Sequence, residues 1–182
     1  MAKMISFNLS SDDFMFVPRT IKEKEITAKI PPKPKELKLH EGIIEFFRKN
    51  KISGLVIAHM DAIYGPILRF YWHDSDPLVE KFLENPVFVA DTVLLARYID
   101  VVRFRNEKRW IVSVIFKKVE KRIDCMDEIV EETFFLFIVS PRIDGYTKRI
   151  LIAQKLAKRF EEITLDEDNI ERVLEDLALN FS

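Results

Sequence analysis

Cysteine is nearly missing from this chain of 182 residues, and its single thiol, Cys125, excludes an internal disulfide. Glycine is almost as scarce. The four that occur, Gly42, Gly54, Gly65 and Gly145, are scattered, so no Gly-rich loop exists to cradle a phosphate. No apolar run approaches the ~18–20 residues that a membrane-crossing helix needs. Asp12 and Asp13 fall too early for a signal peptide. Together these features predict a soluble, cytoplasmic protein. The net charge is only −1 although 32% of residues are charged, which argues against a dedicated nucleic-acid binder and against disorder. What the chain does have is hydrophobic mass: 48% apolar residues, with 15 Phe. At this length one domain with additions buries roughly 70% of its unfolded surface.

The organising stretch is residues 52–73. Leu55 to Met60 and Ile67 to Trp72 are short apolar runs rich in β-formers, separated by Asp61, Ala62, Ile63, Tyr64, Gly65 and Pro66. Gly65 accepts positive φ without steric penalty, and Pro66 is tolerated at the first residue of an edge strand. The pattern predicts a β-hairpin that starts a sheet.

Residues 1–36 read as an extension. Ile5, Phe7 and Leu9 alternate with polar residues, as do Ile26, Ala28 and Ile30, so each group predicts a short strand. Residues 14–17, Phe-Met-Phe-Val, are too apolar for a free tail and are expected to dock on the main body. Pro31, Pro32 and Pro34 predict an extended connector bounding a core domain of residues 37–182.

Within that domain Leu39, Ile43, Phe46 and Phe47 recur at helical spacing over residues 37–50. Asp76 and Pro77 supply an N-cap and a first helical residue, and Asn85 with Pro86 ends or kinks that helix. Residues 87–102 fit helix or strand; helix to about Tyr98 is favoured. Strands follow at 101–104 and 110–116, then a charged connection at 117–132. The run 133–140 is apolar on both faces, as a central strand covered on each side would be. From Tyr146 to Glu162 the apolar arc of a helix holds Tyr146, Ile150, Ala153, Leu156, Ala157 and Phe160. Leu151 falls on the opposite side, among Lys148, Lys155 and Lys158. Thr164 to Glu167 resembles a capping box, and Ile170, Val173, Leu174, Leu177 and Phe181 stripe a last helix.

Chemistry-bearing constellations are thin. His59, Asp61, His73, Asp74 and Asp76 would be the metal ligands if a hairpin gathered them, but no recognised ligand spacing is present, and Asp74 and Asp76 fit turn and cap roles. Ser53, Ser113, Ser140 and Cys125 lack a nucleophile elbow. The reading is therefore no enzyme, no catalytic residue, no cofactor and no metal. Charge is uneven: residues 103–122 carry eight Lys/Arg against Glu107 and Glu120, whereas residues 124–132 hold five acids and no base. Solvated strand edges and loops explain most such runs, with a partner-steering surface as the alternative.

The order of elements predicts an α+β fold: a five-stranded, mainly antiparallel sheet flanked by helices. Residues 54–61, 64–67 and 134–141, running into 146–160, give the chain a resemblance to the Roadblock/longin superfamily, whose architecture is profilin-like. The resemblance covers about residues 37–180. It implies a non-catalytic module that forms homodimers or heterodimers through a sheet edge or helix. It also implies a platform or regulator for a small GTPase in trafficking or signalling, with peripheral membrane association through the partner. On that basis the partner-binding residues are expected at the hairpin turn (Asp61, Tyr64, Gly65 and Pro66) and on the helix face of Lys148, Leu151 and Lys155. A PAS-like small-molecule sensor is the alternative, because such domains share a helix-flanked sheet.

Overall fold

A computed structural model describes residues 31–98, 101–104, 108–121 and 129–181. The chain divides into two compact units, Met1–Ile30 and Pro31–Ser182, and the second holds every described residue. The strands expected near Ile5 and Ile26, the docking of residues 14–17, and Cys125 lie outside the described residues.

The second unit runs β1 (Lys35–Glu36), α1 (Glu41–Lys49), β2 (Gly54–Asp61), β3 (Gly65–His73), α2 (Pro77–Glu84), α3 (Pro86–Ala96), β4 (Val101–Phe104), β5 (Arg109–Lys121), β6 (Ile129–Ser140), α4 (Tyr146–Glu162) and α5 (Glu167–Asn180). The strands form one open sheet ordered β1-β3-β2-β6-β5-β4. The expected antiparallel character needs correcting. β1 pairs parallel with β3, so the sheet is mixed, although its other neighbours are antiparallel. The cause is Leu37, buried at 2% exposure, whose N–H bonds to the Tyr71 carbonyl at 2.8 Å and draws the chain along the β3 edge. Lys35 and Glu36, read from sequence as part of the extension, therefore pair with Phe70 and Tyr71.

β6 explains the layering. Phe134, Leu136 and Ile138 point to one side, into a core with α1, α4 and α5. Phe135, Phe137 and Val139 point to the other, into a core with α2 and α3. A strand buried on both faces has no polar alternation, which is why its sequence reads as a continuous apolar run. β2 behaves alike, with Leu55 and Ile57 on the first side and Val56 and Ala58 on the second. Gly54 is required where β2 meets α2, since a Cβ there would lie 2.4 Å from Val79 Cγ2.

The charged connection expected at 117–132 is mostly strand. β5 continues to Lys121 and β6 begins at Ile129, so only residues 122–128 remain between them, and these lie outside the described set. The ladder sets Lys117 opposite Thr133, Lys118 opposite Glu132 and Val119 opposite Glu131. The described parts of the basic and acidic runs thus lie on adjacent strands, and Lys117 pairs with Glu131.

Helix ends follow local chemistry. α1 starts at Glu41, later than expected, and ends with Lys51 in the left-handed region at φ 58°. Lys51 N–H bonds to Arg48 O and Ile52 N–H to Phe47 O, the paired bonds of a Schellman closure, with Ile52 and Phe47 both buried. At α5, Asp166 is the N-cap and accepts Asn169 N–H at 2.8 Å, so the cap is built by Asp166 and Asn169 rather than by Thr164 and Glu167.

The buried arc of α4 also differs from expectation. Tyr146 is 46% exposed and Ile150 half-buried, whereas Arg149 and Ile152 are buried. Arg149 enters the core because its guanidinium donates to the carbonyls of Asn50 and Arg142. Burial pushes its pKa down and Asp144 partly offsets this. A base removed from the apolar pattern rotates the apparent stripe.

Candidate docking surfaces

At the hairpin tip, Asp61 Oδ1 accepts N–H bonds from Ile63 at 2.8 Å and Tyr64 at 3.0 Å. Those bonds, Tyr64 first, hold the Asp61 carboxyl below the usual aspartate range, against a small opposing effect of burial. Gly65 sits at φ 73°, which a non-glycine residue adopts only with strain. Of the expected site residues here, Asp61, Tyr64, Gly65 and Pro66 are half-buried. Ile63, at 79% exposure, is the side chain presented outward.

Lys148, Leu151 and Lys155 are all exposed on α4, Leu151 at 49%. Lys155 Nζ rests 4.1 Å from the Phe181 ring centroid. The two predicted groups do not converge. The start of α4 is fixed by Arg149 beside Asn50 and Arg142, whereas its end is held by Lys118 Nζ, which donates to the carbonyls of Phe160 and Ile163. Lys118 is opposite Glu132 at the end of the sheet where β2 reaches Asp61. The tip therefore lies at the far end of the sheet from Lys148.

The same geometry corrects the gathered-ligand idea. His73 pairs with Gly54 and His59 with Ile67, so the two histidines stand at opposite ends of the hairpin. Five residues of strand separate them by about 16 Å. His59 is buried, stacked on Phe134 at 4.6 Å, with Nε2 3.5 Å from Glu132. No group of three or more His, Cys, Asp or Glu residues suited to a metal occurs among the described residues.

A serine, a histidine and an aspartate do meet at the other end. Asp76 Oδ2 accepts from Ser53 Oγ at 2.6 Å and Arg109 Nε at 3.0 Å, while Oδ1 accepts Leu78 N–H at 2.9 Å. His73 Nδ1 accepts the Asp76 N–H at 3.1 Å. The serine hydroxyl is thus bonded to the carboxylate, and the imidazole nitrogen is taken by backbone. Nucleophile activation needs the opposite wiring, with the hydroxyl on the imidazole. This cluster ties β2, β3, α2 and β5 together, and Arg48 bound to Asp74 at 2.9 Å adds α1.

The surface that sequence reasoning missed is α3. Phe88, Val89, Thr92, Val93 and Ala96 are buried, yet the outer side is apolar too: Val87 is 66% exposed, Leu94 57%, Leu95 42% and, just beyond, Tyr98 81%. Globular surface helices normally carry charge on the outer face, and Asp91 is the one acid there. Arg97 and Tyr98 adjoin Ser113, Val114 and Ile115 around a recess of about 300 Å³ at the β5 edge. β4 pairs with β5 only from Arg109 to Val112, so beyond that point no described strand covers the edge of β5 opposite β6. The available signal was the missing period across residues 86–96. Comparison with family models, with curated proteins and with solved structures finds no match. No described helix is long and apolar enough to cross a membrane.

Proposed function

We propose that this chain is a non-catalytic protein–protein docking module of Roadblock/longin kind, with profilin-like architecture, that self-associates and serves a small GTPase as regulator or scaffold. The observation that supports this most is the exposed apolar side of α3 beside the open edge of β5. Exposed apolar patches of a few hundred Å² are uncommon without a binding role. Its four large side chains leave on the order of 100 Å² each, so two copies joined here bury roughly 800 Å², and the adjoining β5 edge supplies the rest of a specific interface. An antiparallel pairing of two α3 helices about Leu94 sets Asp91 of one copy beside Arg97 of the other, twice. The adjoining β5 edge can extend a partner's sheet. A GTPase held on such a surface is regulated when one switch conformation binds more tightly than the other.

Gel filtration with light scattering over a range of concentrations tests self-association. The expected species is a dimer that Leu94→Asp converts to monomer with an unchanged melting curve. A wild-type chain that stays monomeric throughout removes the dimer. Pull-down against the source organism's small GTPases tests the partner, and failure to retain any of them in either nucleotide state removes that part.

A further inference from the structure

Several described cations elsewhere pair with acids. Lys35 pairs with Glu167, Arg48 with Asp74, Arg109 with Asp76 and Lys117 with Glu131. The outer side of α4 departs from this. Arg142, Lys148, Lys158 and Arg159 are exposed and have no carboxylate within ion-pair distance among the described residues. Lys155, between them, meets only an aromatic ring at its ammonium. Acids also reach this surface: Asp144 before the helix, Glu161 and Glu162 in its last turn, and Asp176 of α5, which with Glu162 lines a recess beside Lys155, Lys158 and Arg159. A half-exposed apolar side chain, Leu151 at 49%, stands among the bases.

We infer that this side of α4 is a peripheral binding surface for an anionic lipid bilayer. The outer side of any helix is convex, and with the bases spread along it this one meets a plane more readily than it encloses a peptide. Five bases, Arg142, Lys148, Lys155, Lys158 and Arg159, fall within the four to eight that a phosphatidylserine surface recruits. Leu151, half-exposed among them, supplies an apolar contact at the acyl boundary. Single-stranded nucleic acid would need a row of stacking aromatics, which α4 lacks. This inference goes beyond the docking module and does not depend on α3.

Vesicle co-sedimentation of the full chain tests it. At about 0.1 M salt the protein is expected to pellet with phosphatidylcholine vesicles containing roughly 30% phosphatidylserine, and to stay in solution with phosphatidylcholine alone. Raising salt to about 0.5 M should release it, because the screening length then falls below the spacing of the bases from the surface. The variant Lys148→Glu/Lys155→Glu/Lys158→Glu should lose roughly tenfold or more in partitioning, and Leu151→Ser several-fold. Should the triple variant melt early, the wild-type salt series and Leu151→Ser carry the decision. Equal pelleting with both vesicle types overturns the inference, as does no binding to the acidic ones. Tighter retention on polyglutamate or single-stranded RNA than on vesicles overturns it as well.

Discussion

Replacing Asp76 is the most searching perturbation of this fold. The residue is 2% exposed and holds three groups: the Ser53 hydroxyl, the Arg109 guanidinium and the first free amide of α2. Loss of an N-cap alone costs about 0.5–2 kcal/mol. Removing one partner of a buried ion pair costs about 3–5 kcal/mol, because the remaining charge stays desolvated. The Arg109 side chain, however, is 27% exposed, so water replaces part of what it loses. The contributions overlap, and Asp76→Ala is expected to destabilise by about 2–4 kcal/mol. Asp76→Asn keeps a cap acceptor and a partner for Ser53 while removing the charge, and should cost about half as much. Urea unfolding followed by tryptophan fluorescence reads both variants as a lower midpoint at constant slope. An Asp76→Ala variant within about 0.5 kcal/mol of wild type would refute the reasoning. So would an Asn variant as damaging as Ala.

Two further changes test the local arguments. Lys51→Gly relieves a left-handed residue at the end of α1 and should stabilise by about 0.5–1 kcal/mol, seen as a higher thermal midpoint; no rise would mean that Lys51 is unstrained. Asp61 has a carboxyl pKa lowered in the folded state, so its contribution is present above the unfolded pKa and fades as pH falls through the folded one. Carboxyl NMR titration should place Asp61 below the ordinary aspartate value, and Asp61→Asn should flatten the acid end of the stability profile.

Local chemistry was legible wherever residues close in sequence decided the outcome. The hairpin, the Asp76 cap, the Asn85-Pro86 break and both ends of α4 were all read this way. What escaped was set at a distance. Ser53 and Arg109 lie 23 and 33 residues from Asp76, and nothing near any of them announces the cluster. Lys117 to Lys121 looked like a loop because a run with Val119 as its one apolar residue is held as a strand only when β6 lies alongside. Arg149 carries no local sign of burial, since its acceptors come from a loop and from the end of α1. The outer side of α3 gave a weaker sign: uniform apolarity identifies a helix poorly but, once it is placed on the outside, marks a surface. The hairpin turn, by contrast, is accounted for by its own backbone bonds, so any contact there falls first to Ile63.

Lys118 has a consequence for how the chain can be shortened. Its ammonium is sealed beneath the junction of the last two helices and bonds to main-chain oxygens of Phe160 and Ile163. Truncating before residue 163 takes one of those oxygens away and frays the turn that offers the other. The C-terminal helix is therefore not a detachable appendix, because its leading linker helps keep a strand of the sheet electrically satisfied.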